Sequence, residues 1–284
     1  MQEAHARLAG KVAVVTGGTA GIGQGIVLRF LKEGASVVYC SRTPGADAEN
    51  AVAIAQIPDG TARAHFMVAD VGVEDQVRSV VREAVDRFGR LDVLVCNAQG
   101  IAPLRDIVDK PDADYEMTLR TGFYHSLWAM KEAYPHLAAA GRGSVILFSS
   151  HWNLFGQFSS SDYNITKAAI ESLTRSAAKE WGRDNITVNC ILPAGDSRAY
   201  QAYKNQSPEN LAVAARSDAA RPMGRMGDCE RDIAGAVLGL ASANGRFITG
   251  QVFGVDGGAW LSTTRQRHKS GTDIHAGREQ AKSA

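Results

Sequence analysis

A chain of 284 residues that is 45% hydrophobic and 21% charged has the apolar mass for one large core, and its net charge of +1 lacks the basic excess of a nucleic-acid surface. No apolar run approaches the ~18 residues that span a membrane, and the opening MQEAHARLAG has an acid and no apolar core, so it does not read as a signal peptide. Cys40, Cys96, Cys190 and Cys229 lie far apart, the first three inside apolar runs, which points to buried thiols in a reducing compartment, the cytoplasm, and away from a disulfide framework or a metal site.

Short β-branched runs alternate with helical patterns, the mark of a single-domain, doubly wound (Rossmann) α/β fold with a seven-stranded parallel sheet and helices on both faces. In chain order, KVAVVTG predicts a strand and is followed by a helix at about 21 to 33. ASVVYCS is followed by a helix at 46 to 56, RAHFMVAD by one at 73 to 88, and LDVLVCN by one at 111 to 139 that contains Gly122 and Pro135. GSVILFSS precedes a helix at 160 to 183, ITVNCIL one at 229 to 242, and GQVFGVDGG predicts the seventh strand. Between Pro193 and Pro222 the periodicity fails, which predicts an excursion with one or two short helices. It leaves the carboxyl end of a strand, where open α/β sheets bind ligands, so residues 196–222 read as a substrate lid. The domain then covers 9–260, with an N-terminal extension at 1–8 and a polar, flexible tail at 261–284.

Gly17, Gly21 and Gly23 in TGGTAGIG stand between a strand and a helix, where missing side chains permit a tight turn and let backbone N–H groups approach a pyrophosphate. At the tip of the second strand, Ser41 takes the place of the carboxylate that would bind the ribose of NAD. Arg42 follows it, and a guanidinium suits the extra phosphate of NADP. Asp70 ends the third strand, placed either for the adenine end of a dinucleotide or as a helix N-cap.

These residues, with Ser150 and the later stretch SSSDYNITKAA, resemble the short-chain dehydrogenase/reductase family over about residues 9–260. TGGTAGIG matches its TGxxxGIG turn, and Ser150, Tyr163 and Lys167 match its Ser, Tyr and Lys, with the family's Ser-to-Tyr separation of 13 (163 minus 150). ITGQVFGVDGG is also typical. The resemblance implies a nicotinamide dinucleotide cofactor and hydride transfer to or from an alcohol or carbonyl carbon. It extends the cofactor-binding set to Thr19, Ile22, Val71, Asn97, Tyr163, Lys167 and Pro193. It also implies a homotetramer or homodimer built on the long fourth and fifth helices and the last strand.

The chemistry of the helical pair follows from its spacing. Residues four apart share a helix face, so the Lys167 ammonium, together with the positive nicotinamide of the cofactor, should lower the Tyr163 phenol from its reference of ~10 and suit it to general acid–base work. Ser150 would donate to the substrate oxygen. His151, Trp152 and Phe155 follow it and could line an apolar pocket, although core packing or a subunit contact explains the aromatics as well.

Three positions depart from the family pattern. Its helix Asn, whose carbonyl holds a relay water, falls on Gly122 when Tyr115 is set at the family Trp, or on Leu119 in a shifted alignment. With Gly122 there, water should fill the space left by the missing amide. Gln99 in CNAQ stands where NNAG has glycine, and PAGDSR replaces PGxxxT, with Ser197 a candidate for the Thr. The reading is an NADP(H)-dependent oxidoreductase interconverting a secondary alcohol and a ketone, with the same chemistry on NAD, or an NADP-binding sensor or scaffold, as alternatives. Bulky ketones, steroids, polyols and aromatic alcohols all remain open as substrates.

Overall fold

All seven apolar runs are strands: β1 (Val12–Thr16), β2 (Ser36–Ser41), β3 (Ala64–Val68), β4 (Val93–Cys96), β5 (Gly143–Phe148), β6 (Ile186–Pro193) and β7 (Val252–Val255). In the computed structural model, which describes residues 6–264, they form one parallel sheet in the order β3-β2-β1-β4-β5-β6-β7. Helices cover both faces, which is why the central strands read as unbroken apolar runs. Alternate residues feed two cores: Val12 and Val14 enter one, Ala13 and Val15 the other. The order runs outward in both directions from the β1–β4 pair, so the ligand crevice opens beyond the carboxyl ends of those two strands.

The helices are α1 (Gly21–Lys32), α2 (Ala48–Ile54), α3 (Gly60–Arg63), α4 (Glu74–Phe88), α5 (Asp112–Leu119), α6 (His125–Ala139), α7 (His151–Phe155), α8 (Ser161–Trp181), α9 (Arg198–Lys204), α10 (Pro208–Ala220) and α11 (Ala234–Ala241). The continuous helix expected over 111–139 is α5 and α6 joined by a π-helical turn, Arg120–Tyr124, with Pro135 inside α6. A second π-helical turn, Cys229–Ile233, opens α11. Two short helices escape the periodicity. One is α3, only four residues long. The other is α7, which Ser150 caps by accepting the Trp152 N–H at 3.3 Å and Gly156 ends at φ 61°.

The excursion is a pair of helices, α9 and α10, clamped at its base by a bridge between Gly195 and Gly227 and internally by Tyr200 donating to Asp218 at 3.0 Å. Leu8, assigned to the N-terminal extension, is buried in the core, with its N–H on the Glu33 carbonyl at 2.9 Å, so the packed domain begins before residue 9. Of the tail expected over 261–284, residues from 265 onward lie outside the described residues. Among the described residues no helix is long and apolar enough to cross a membrane.

Candidate active site

A cleft of about 430 Å³ opens at the β1–β4 crevice. Gly17, Gly21, Ile22, Ser41, Arg42, Val71, Asn97 and Tyr163 line it, joined by Gln99, Ile101, Thr121, Ser197 and Arg198. The turn after β1 is held from three sides. Gly17 has φ +66°, and a Cβ on Gly23 would stand 2.1 Å from the Gly17 carbonyl oxygen, so the helix meets the strand only through glycine. Asn97 Nδ2 donates to the carbonyls of Thr16 (3.0 Å) and Gly17 (3.3 Å), locking β4 to β1 across the crevice. Asn50, buried on α2 and without a signal in the sequence, donates to the Gly18 carbonyl at 2.8 Å.

The chemistry of this turn favours an anion. Ala20 gives α1 no side-chain cap and its first turn has no acid, which leaves the helix N–H donors facing the cleft. Arg42 lines the same cleft and forms no ion pair with another described residue. These groups fit a dinucleotide pyrophosphate. Arg198 reaches across from α9 to Glu49 on α2 at 3.1 Å, so the excursion borders the cleft. Ser197 faces Gly21, with its oxygen accepting the Tyr200 N–H at 3.3 Å.

Ser150, Tyr163 and Lys167 converge at the end of β5. Lys167 is buried and donates to the Phe148 carbonyl at 2.8 Å, with its ammonium 5.2 Å from the centre of the Tyr163 ring. The pair by itself does not lower the phenol pKa. Burial pushes Tyr163 up to about 12, and the only opposing influence is a hydrogen bond from Ser150. The ammonium lies over the ring face with one N–H spent on Phe148, and burial pushes Lys167 itself down to about 8. One residue before Tyr163, buried Asp162 receives Lys110 at 2.7 Å, an unforeseen ion pair that ties the start of α8 to the segment before α5.

The water-filled space expected beside Gly122 is also corrected. Gly122 lies in the π-helical turn, and a Cβ there would stand 2.2 Å from Gln99 Oε1 and 2.5 Å from Thr166 Cγ2. Gln99 fills that space and donates to the carbonyls of Gly100 (2.9 Å) and Thr118 (3.1 Å). Two departures from the family pattern are therefore one. A carboxamide in the loop occupies the room left by a glycine on the helix.

Other expected site residues are not part of the cleft lining. Asp70 is not among the cleft-lining residues and does not cap a helix: its carboxylate accepts the Gly72 N–H at 2.8 Å and shapes its own loop, while Val73 is the N-cap of α4. Thr19 is buried within the turn, Gly23 packs against the Gly17 carbonyl, and Pro193 ends β6. His151 is tied to Asp256: the carboxylate, which also accepts the Gly258 and Trp260 N–H groups, holds its Nε2 at 3.1 Å. Burial keeps that imidazole below the usual histidine range against the pull of Asp256. Trp152 stands edge-on to Tyr163 with ring centres 5.6 Å apart, and Phe155 remains exposed at the end of α7.

Residues 17–259 match the family model described as enoyl-(acyl carrier protein) reductase. The chain is 33% identical to 12alpha-hydroxysteroid dehydrogenase of a Clostridium species, over 88% of this chain and 96% of that protein. It is 34% identical to L-fucose dehydrogenase of Bos taurus, over 92% and 93% of the two. A solved structure described as a short-chain alcohol dehydrogenase from Sinorhizobium meliloti superposes with a TM-score of 0.80 at 30% identity, covering 90% of this chain and 99% of that one. With its seven-stranded parallel sheet and a nucleotide-type crevice between β1 and β4, the chain belongs to the short-chain dehydrogenase/reductase family and is an NAD(P)-dependent oxidoreductase of alcohol and carbonyl carbons.

Proposed function

We propose that the protein uses NADP(H) to interconvert a secondary alcohol and a ketone, with Tyr163 as general acid and base. The convergence of Ser150, Tyr163 and Lys167 beside a cleft rimmed by Arg42 carries this reading. The α1 N-terminus holds the pyrophosphate, and Arg42 with Ser41 takes the additional phosphate. A bound nicotinamide dinucleotide supplies or takes up the hydride. Ser150 donates to the substrate oxygen, and Tyr163, fully protonated at neutral pH with its phenol at about 12, gives that oxygen a proton in reduction. Lys167, at about 8, turns from proton donor to acceptor just above neutrality and so favours oxidation at higher pH.

Ile101 on the cleft wall and Trp152 beside Tyr163, both largely exposed, favour a substrate with an apolar face, and α9 with α10 forms its lid. The cytoplasm suits the buried free thiols of Cys40, Cys96 and Cys190. Phe247, Trp260 and Leu261 are exposed around edge strand β7, which supports a homodimer or homotetramer joined there. Light scattering at micromolar concentration should show the multiple mass; a monomer would remove that part.

Calorimetric titration with both cofactors, followed by a ketone and alcohol panel read by nicotinamide absorbance, tests the whole. NADP should bind more tightly than NAD, and Arg42→Asp should remove about 1.5–3 kcal/mol from NADP alone. A wild type that prefers NAD sinks the role given to Arg42.

A further inference from the structure

The residues just ahead of Tyr163 are bound, one after another, to the segment that follows β4. Ser159 has φ 60°, a left-handed backbone in a residue with a side chain. Such a conformation persists where its surroundings over-determine it, and it gathers at functional sites. The Ser159 carbonyl accepts the Arg105 N–H at 2.9 Å, and its hydroxyl donates to Asp106 at 2.6 Å. Ser161 Oγ and the Tyr115 hydroxyl share a hydrogen bond of 2.6 Å. Asp162 accepts from Lys110 Nζ at 2.7 Å, and the same ammonium donates to the Pro103 carbonyl at 3.1 Å. Two elements meet through this ammonium. Tyr163 follows Asp162 directly on α8, and Ile101, just before Pro103, lines the cleft with it.

The Lys110–Asp162 pair differs from its neighbours in being dry. Its side chains are 0% and 2% exposed, whereas the Ser159 and Ser161 side-chain ties are exposed or half-buried and compete with water. The pair is also incompletely bonded, since Asp162 Oδ2 has no hydrogen-bond partner among the described residues. A buried ion pair recovers its desolvation cost only when its remaining lone pairs are satisfied, and apolar side chains of similar volume are often as stable in its place. Stability therefore does not account for this pair. What apolar side chains would lack is direction: Lys110 has one acceptor on the cleft-wall loop and one on α8, and fixes the two relative to each other.

We propose that Lys110 and Asp162 are positioning residues that set Tyr163 against the cleft wall at Ile101, and so govern both how the phenol meets the substrate oxygen and how bulky a substrate enters. The proposal rests on Tyr163 being the general acid and base. Small displacements of a reacting group are costly, because the gain from orientation is lost within about an ångström. The pair holds that alignment from behind, without touching substrate or cofactor.

The double variant Lys110→Met with Asp162→Val replaces the pair by apolar side chains of similar volume. Its Tm should be no lower than that of the wild type, and its NADP affinity by calorimetry should be unchanged, because the turn after β1 is untouched. Its kcat for ketones that the wild type reduces should fall about tenfold to a hundredfold. Discrimination in kcat/KM between a monocyclic ketone such as cyclohexanone and a bicyclic one such as decalone should shrink as the wall loosens. Asp162→Asn, which keeps an oxygen where Lys110 donates, should recover most of both. Wild-type kcat and discrimination in the double variant overturn the proposal, as does a kcat loss that tracks a falling Tm and that Asp162→Asn does not recover. If the double variant does not fold, Tyr115→Phe decides, since it removes only the hydroxyl that ties Ser161: a smaller loss of discrimination at wild-type Tm is expected, and none overturns the proposal. Tyr163→Phe as active as the wild type instead overturns the reading of Tyr163 itself, a result separable because discrimination would still respond to the Lys110 pair while kcat would not.

Discussion

Two turns in this molecule need glycine because another atom already stands where its side chain would be. After β1, a Cβ on Gly23 would lie 2.1 Å from the Gly17 carbonyl oxygen, and in the π-helical turn a Cβ on Gly122 would lie 2.2 Å from Gln99 Oε1. The distances match, but the obstacles differ. The Gly17 carbonyl is backbone, pinned by Asn97 and by the register of β1 with β2 and β4. The Gln99 amide is the end of a side chain, held by two hydrogen bonds and free to swing if they break. One region is built to bind and tolerates nothing; the other lies next to the chemistry and is exchangeable with its partner.

The division between binding and chemistry is sharpened most by Tyr163→Phe. Loss of the phenol should cost roughly a thousandfold in turnover, or ~4 kcal/mol, while NADP affinity stays close to the wild type because the turn after β1 is untouched. The pH profile should carry the mark of Lys167. Above about 8 it is a neutral amine able to accept a proton, and below about 8 an ammonium able to give one, so alcohol oxidation should climb through that pH as ketone reduction declines. An oxidation rate that stays flat between about pH 7 and 9 would count against Lys167 as the link.

How much of this was legible in the sequence follows the same contrast. TGGTAGIG holds its strand end, turn and helix start within eight residues, and Tyr163 and Lys167 are one helical turn apart, so pattern and geometry coincide. The seven strands were readable because a parallel sheet covered on both faces leaves unbroken apolar runs. Gln99 and Gly122 were not readable as a pair. They lie 23 positions apart (122 minus 99) on different elements, and each alone looks like a loss. The partner of His151 was not readable for the same reason, Asp256 lying 105 positions on (256 minus 151). The upward push on the Tyr163 phenol was not readable, because spacing reveals the neighbouring charge but not the burial that outweighs it in the chain alone.

The second test is Gly23→Ala. Neither the Gly17 carbonyl nor the start of α1 can retreat without opening the β1–β4 crevice, so we expect a loss of about 3 kcal/mol or more in stability, with NADP binding impaired as well. No single substitution elsewhere should repair it, since the obstacle is main chain. Calorimetric unfolding and cofactor titration would read both effects, and a folded Gly23→Ala that binds NADP normally would break the comparison on its rigid side.

Gly122→Ala tests the other side and should have the smallest effect. Alanine favours the helix over glycine by ~1 kcal/mol, but its Cβ must displace the Gln99 amide from the Gly100 and Thr118 carbonyls, at ~1 kcal/mol each. It must also push buried Thr166 Cγ2 back from 2.5 Å. The balance is a net destabilisation of about 1–2 kcal/mol, or roughly 2–8 °C in Tm for a domain of this size. Unlike Gly23→Ala, it has a second-site suppressor. Gln99→Gly removes the obstacle, so the two substitutions should be less harmful together than their separate costs add up to, by about 2 kcal/mol for the two hydrogen bonds that are then lost only once, while the Thr166 contact is common to both backgrounds. Strict additivity in that double-mutant cycle would mean that Gln99 does not fill the space beside Gly122, and the exchange of carboxamide and glycine between loop and helix would lose its physical basis.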